Sequence, residues 1–140
     1  MKPRDTGDRV FDRSFEALDA VFAHADEFFS ANDIDAQSRF ALKLAIEEIF
    51  TNFVKYNSDG GNGISIDLRL DGGDVVVQLV DPDSSRFDVT EFDEADTTSS
   101  LDRRVAGGLG IYLVKKMVDD VQYRHIDRTS TIVLRKKISR

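Results

Sequence analysis

The chain has 140 residues, 41% hydrophobic and 32% charged, a balance that suits one soluble globular domain with a substantial core. It contains no cysteine, which excludes disulfides and thiolate metal sites and agrees with a reducing cytoplasm. A net charge of −7 argues against direct binding to nucleic acid, whose affinity comes from Lys and Arg on phosphates.

No apolar run approaches the roughly 18–20 residues that span a bilayer, and the opening "MKPRDTGDRVF" lacks the apolar centre of a signal peptide. The expected location is therefore the cytoplasm. The charge is unevenly distributed. Residues 81–102 carry eight Asp/Glu against one Arg, whereas the C-terminal "RKKISR" is basic.

In chain order, "RVFDRSF" (9–15) predicts a short edge strand. From Glu16 to Ala31, apolar Leu18, Val21, Phe22, Ala25, Phe28 and Phe29 recur at helical spacing. Asp35 is placed to cap a second helix that runs to about Tyr56, and "NSDGGNG" ends it. "ISIDLRL" (64–70) alternates apolar and polar at a period of two, "DVVVQLV" (74–80) follows it, and the two runs meet across Asp-Gly-Gly, which predicts an antiparallel hairpin. A polar stretch, 81–106, precedes "GGLGIYLVKKMVDD" (107–120), a glycine turn opening a third helix. "VQYRHI" and "TSTIVLRKKI" then form a second hairpin across "DRT". Helices and strands come in blocks, so the fold class is α+β, a two-layer sandwich of one mostly antiparallel sheet with helices on one face. No repeat or linker interrupts it, so 1–140 reads as a single domain.

Three stretches stand out chemically. In "LAIEEIFTNFVKY" (44–56), Glu48 and Asn52 lie four residues apart on one helix face, amid positions that otherwise bury Ile46, Ile49, Phe50 and Phe53. Taken alone, such a pair usually faces water or bonds another helix. Asp81 ends an apolar strand in "LVDPDSSRFD", where a carboxylate accepts a hydrogen bond from an exocyclic amine or simply starts a turn. In "AGGLGIYLVKK", Gly107, Gly108 and Gly110 precede a helix, so bare backbone amides form an anion site or an unliganded turn. Neither a Rossmann nor a Walker A pattern is present, since no strand directly precedes the glycines and "GK[ST]" is absent.

Together, the three resemble the N, G1 and G2 boxes of the GHKL (Bergerat-fold) ATPases. Within that superfamily the chain looks most like the stand-alone anti-sigma-factor serine kinases of bacterial partner-switching systems. The resemblance runs from about Phe15 to Lys137, and the chain has no room for the phosphoacceptor helices of a sensor histidine kinase. It implies ATP and Mg²⁺ as cofactors. Asn52 would coordinate the metal, Glu48 would be the general base for an attacking serine hydroxyl, and Lys55 would reach the phosphates. Asp81 would read the adenine amine, while the backbone of Gly107, Gly108, Leu109 and Gly110 would approach the phosphates. Residues 89–106 would form a lid. Glu47, about 100° away on the helix, is structural or solvated.

Three features depart from the family pattern, one of them the spacing from Asp81 to Phe87-Asp88, which is one residue longer than that pattern. The glycine expected two residues after the G1 aspartate is Asp83, which would crowd the nucleotide or point outward, and Tyr56 stands where relatives commonly have histidine. The implied partners are a sigma factor and an antagonist of the STAS type. Residues 9–31 or a sheet edge would form the surface of a homodimer. The alternative is a catalytically weak or inactive module of the same fold that acts by sequestration alone. His24 and His125 have no companions at metal-ligand spacing, and no serine sits in a nucleophile elbow.

Overall fold

Alternation at a period of two sends every second side chain of a strand to one face, and that face is where the core forms. The computed structural model describes residues 7–56, 62–83 and 114–138. They contain β1 (Gly7–Phe11), a short 3-10 turn (Phe15–Ala17), α1 (Leu18–Ala31), α2 (Ala36–Tyr56), β2 (Ile64–Asp71), β3 (Asp74–Asp81), β4 (Asp120–Ile126) and β5 (Thr129–Lys137). The strands form a five-stranded sheet in the order β1-β2-β3-β5-β4, and every pairing is antiparallel. This is the α+β sheet-and-helix layering expected from the block order of the elements.

Ile64, Ile66 and Leu68 of β2, Val75, Val77 and Leu79 of β3, and Ile132 and Leu134 of β5 are all buried on the helix-facing side. Against them α1 places Phe28 and Phe29, and α2 places Leu42, Ile46, Ile49, Phe50 and Phe53. Each fully buried side chain of this size contributes roughly 1.5–3 kcal/mol through removal from water. Asp35 caps α2 as its position predicts, its Oδ2 accepting a hydrogen bond from the Ser38 amide at 3.0 Å.

Two glycines decide local geometry. Gly72, with φ 63°, turns the two-residue β2–β3 hairpin. Gly63 lets β1 approach closely, because a Cβ there would lie 2.6 Å from Val10 Cγ1 and 2.7 Å from the Phe11 carbonyl oxygen.

Two boundaries differ from the sequence reading. The first strand ends at Phe11 rather than near residue 15, because the chain turns at 12–14, where the Ser14 amide donates to the Asp12 carbonyl at 2.9 Å. The third helix, of which 114–117 is described, stops short of 120, since Asp120 already opens β4.

Candidate nucleotide site

Asp81 is the last residue of β3 and pairs with Ser130 of β5, which in turn pairs with His125 of β4. On the other side, Ile64 of β2 lies one step beyond the Ser65–Val80 pair and faces Phe11 of β1. One row at the end of the sheet therefore reads Phe11, Ile64, Asp81, Ser130, His125. Its apolar half belongs to the core and its polar half forms a hydrogen-bonded patch. His125 Nδ1 lies 3.0 Å from Ser130 Oγ, and the Tyr123 hydroxyl lies 3.4 Å from the same oxygen.

Sequence patterning does not single out Ser130. The signal that exposes it is register, since counting back along "TSTIVLRKK" from its pairing with β3 sets it opposite Asp81.

The carboxylate of Asp81 is fully buried and already engaged. Arg13, whose side chain is only 4% exposed, donates from Nη1 to Oδ2 at 2.8 Å and from Nη2 to Oδ1 at 2.6 Å. The Asp83 amide adds a third bond to Oδ1 at 3.0 Å. Arg13 also donates through Nε to the carbonyl of Asn62 at 3.0 Å, which joins the turn after β1 to the entry of β2. Arg13 is a second site residue that sequence patterning misses.

The C-terminal half of α2 supplies the second part of the site. Asn52 is buried, and its Nδ2 donates to the Glu48 carbonyl at 2.6 Å and to Glu48 Oε2 at 3.4 Å. The two side chains thus share one face of one turn, as their spacing requires. Because the amide nitrogen is turned back on Glu48, the carbonyl oxygen of Asn52 points away from it. Burial raises the pKa of Glu48, and the neighbouring Glu47 adds to the rise. The Asn52 hydrogen bond and the charge of Lys55 oppose it. Lys55, on the last turn of α2, is exposed.

The chain joins the two parts over a short stretch. α2 ends at Tyr56, six residues before Asn62, and Asn62 touches the guanidinium that covers Asp81.

Asp83 is engaged as well. Its Oδ1 accepts from Arg128 Nη2 at 2.7 Å and Nε at 3.2 Å, in the turn between β4 and β5. Gly107, Gly108, Leu109, Gly110 and the segment 89–106 lie outside the described residues. Among the described residues no cluster of three or more His, Cys, Asp or Glu could enclose a metal ion. No helix among them is long and apolar enough to cross a membrane.

Comparison with known proteins identifies the fold. Residues 11–136 match the family profile described as a histidine kinase-like ATPase domain. The fold is similar to the structure of the RsbU and RsbW domains of Rv1364c from Mycobacterium tuberculosis, with a TM-score of 0.68 and 17% identity. That match covers 95% of this chain but 32% of the other. It is also similar to the SiaB–SiaC complex from Pseudomonas aeruginosa, with a TM-score of 0.65 and 12% identity over 99% of this chain and 91% of that one. A third similar structure is the Acinetobacter baumannii histidine kinase AdeS, with a TM-score of 0.54 and 13% identity over 95% of this chain and 68% of the other. No curated protein matches the sequence significantly.

Proposed function

We propose that this chain, which belongs to the histidine kinase-like ATPase family, binds ATP with Mg²⁺ and transfers the γ-phosphoryl group to a serine of a STAS-type antagonist. It would hold a sigma factor when that antagonist is absent. The observation that carries the reading is the pairing of Glu48 and Asn52 on one turn of α2, the helix that leads into β2, which pairs with the strand that ends at Asp81.

In the transfer, the serine oxygen forms a bond to the γ-phosphorus while the bond from that phosphorus to the β–γ bridging oxygen breaks and ADP leaves. Glu48 takes the serine proton. A carboxylate whose proton affinity has been raised by burial is a better base near neutral pH than an ordinary glutamate. Asp81 accepts from the adenine amine, Lys55 approaches the phosphates, and the backbone at Gly107, Gly108, Leu109 and Gly110 cradles them.

The residues present fit Mg²⁺. The ion prefers a few hard oxygen donors together with water and phosphate oxygens over an all-protein cage. The carbonyl oxygen of Asn52, turned away from Glu48, is such a donor. When bound, the ion would neutralise charge on the phosphates.

The likeness in fold to RsbW and SiaB supports the partner-switching part of the reading, and the SiaB structure is itself a complex with a second protein, SiaC. A sequestration-only module is the second reading, favoured by one observation: Arg13 already occupies the carboxylate that would read the base.

Calorimetry with millimolar Mg-ATP tests the site, and labelled ATP with a STAS-type acceptor tests the chemistry. Binding with transfer to the acceptor serine supports the kinase. Binding without transfer leaves the sequestration module. Failure to bind adenine nucleotide at millimolar concentration overturns the site.

A further inference from the structure

A carboxylate offers about four lone-pair directions to donors. At Asp81, Oδ1 accepts from Arg13 Nη2 and the Asp83 amide, and Oδ2 accepts from Arg13 Nη1. One direction on Oδ2 remains, but the side chain is 0% exposed and its partner Arg13 only 4%, so an incoming base has no path to that lone pair in this conformation. An exocyclic amine reaches the carboxylate only if an arm of the guanidinium gives way.

We propose that Arg13 is a latch on the base-reading carboxylate. Nucleotide binding exchanges at least one Arg13–Asp81 hydrogen bond for the bond from the base, so the latched conformation excludes nucleotide. The proposal rests on the reading of this end of the sheet as an adenine-nucleotide site and adds a specific regulator to it.

Arg13 is well placed for this task. Its guanidinium keeps its charge at any working pH, so the exchange is driven by ligand and not by protonation of the arginine. The fork gives two parallel charge-assisted bonds, strong enough to hold closed yet replaceable one arm at a time.

The residue also sits on a segment able to report the exchange. It lies in the turn at 12–14, between Val10, 70% exposed, and Phe15, 53% exposed. Through Nε it holds the Asn62 carbonyl as well. Opening the fork therefore loosens the junction between β1 and α1 and presents a changed apolar surface there when nucleotide arrives.

A site whose competent conformation is a minor fraction shows an affinity reduced by that fraction. Arg13→Gln keeps most of the side-chain reach but removes the charge and the fork. It should bind ADP more tightly than the wild type, by about tenfold if the latch is closed nine-tenths of the time, while the nucleotide-free protein melts at a lower temperature.

A measurement on the unaltered chain keeps the idea testable even if that variant folds poorly. Nitrogen-15 NMR of arginine should show Arg13 guanidinium protons protected from exchange in the free protein and exposed at saturating ADP. Wild-type binding with equal or weaker affinity in Arg13→Gln, or Arg13 protons that stay protected with ADP bound, overturns the latch and leaves the nucleotide site standing. Absence of binding in both proteins removes the site and the latch together. Binding by the variant alone would be the strongest support.

Discussion

Arg128 and Asp83, 45 residues apart, form an ion pair of 2.7 Å between the turn after β4 and the loop after β3. Arg128 holds φ 65° and its neighbour Asp127 φ 51°, the pair of left-handed conformations that a two-residue hairpin turn of type I′ demands. Asparagine and glycine are the usual occupants, so an arginine there is held against its backbone preference. The side chain has a task there: it holds the extra carboxylate of the loop after Asp81 with two hydrogen bonds.

The first prediction follows from that pairing. Arg128→Gly relieves a left-handed residue, worth about 1–2 kcal/mol, and loses a largely exposed ion pair, worth about 0–1 kcal/mol. Thermal unfolding should therefore show equal or slightly greater stability. Mg-ATP affinity should nonetheless fall severalfold, because Asp83 is released near a polyanionic ligand. Unchanged affinity would remove Asp83 from the neighbourhood of the nucleotide.

Glu48 gives the second prediction. Its folded-state pKa is raised, chiefly by burial, so the folded protein binds this proton more tightly than the unfolded chain. Stability is lost as pH rises from the unfolded value near 4.5 through the folded one, and the loss is constant above both. Glu48→Gln should then be as stable as or more stable than the wild type at pH 7, with the gap closing in acid. Nucleotide binding should persist while phosphoryl transfer falls by about 10²–10⁴. An undiminished transfer rate would exclude Glu48 as the base.

A buried histidine supplies the third. His24 is 1% exposed, packs against Phe11 with ring centroids 5.5 Å apart and planes tilted by 52°, and has no full hydrogen bond at either nitrogen. Burial lowers its pKa and the charge of Arg9 lowers it further. The Ile66 backbone, Glu27 and Asp67 oppose the shift in part. The unfolded chain then binds the proton first, so stability should fall as pH drops below about 6.5, until the folded histidine also titrates. Denaturant unfolding at pH 7.5 and 5.5 should show this loss in the wild type and a smaller one in His24→Leu. Equal pH dependence in the two proteins would assign the acid sensitivity to other groups.

What can be read from the chain divides along sequence distance. The two hairpins, the α2 cap at Asp35 and the Glu48–Asn52 pair depend on residues within a turn of one another, and spacing shows all of them. The row Asp81–Ser130–His125 depends on register between β3, β5 and β4, which local alternation does not number. Arg13 is the hardest to see. "RVFDRSF" has no proline or glycine to mark a turn at 12–14, so local composition does not show where β1 ends. That turn sends Arg13 toward a carboxylate 68 residues away, and only the assembled sheet juxtaposes them. Asp83 is legible as a departure from the family pattern, but its direction depends on Arg128, which only the sheet brings near.

The last prediction uses the pair at the centre of the site. Asp81→Asn removes the charge that a buried Arg13 answers, and breaking one side of a buried ion pair costs about 3–5 kcal/mol. Replacing both partners in Arg13→Gln/Asp81→Asn removes the orphaned charge, so the double variant should be more stable than Asp81→Asn alone. Urea unfolding of the four proteins in a double-mutant cycle measures this coupling. Adenine-nucleotide affinity should behave differently. The asparagine presents an amide that cannot fully replace the carboxylate as acceptor, so binding should be weak in both proteins that carry Asp81→Asn, however stability recovers. Restored stability without restored binding separates the structural role of Asp81 from its role as base reader. Full binding in the stable double variant would show that the base is recognised elsewhere.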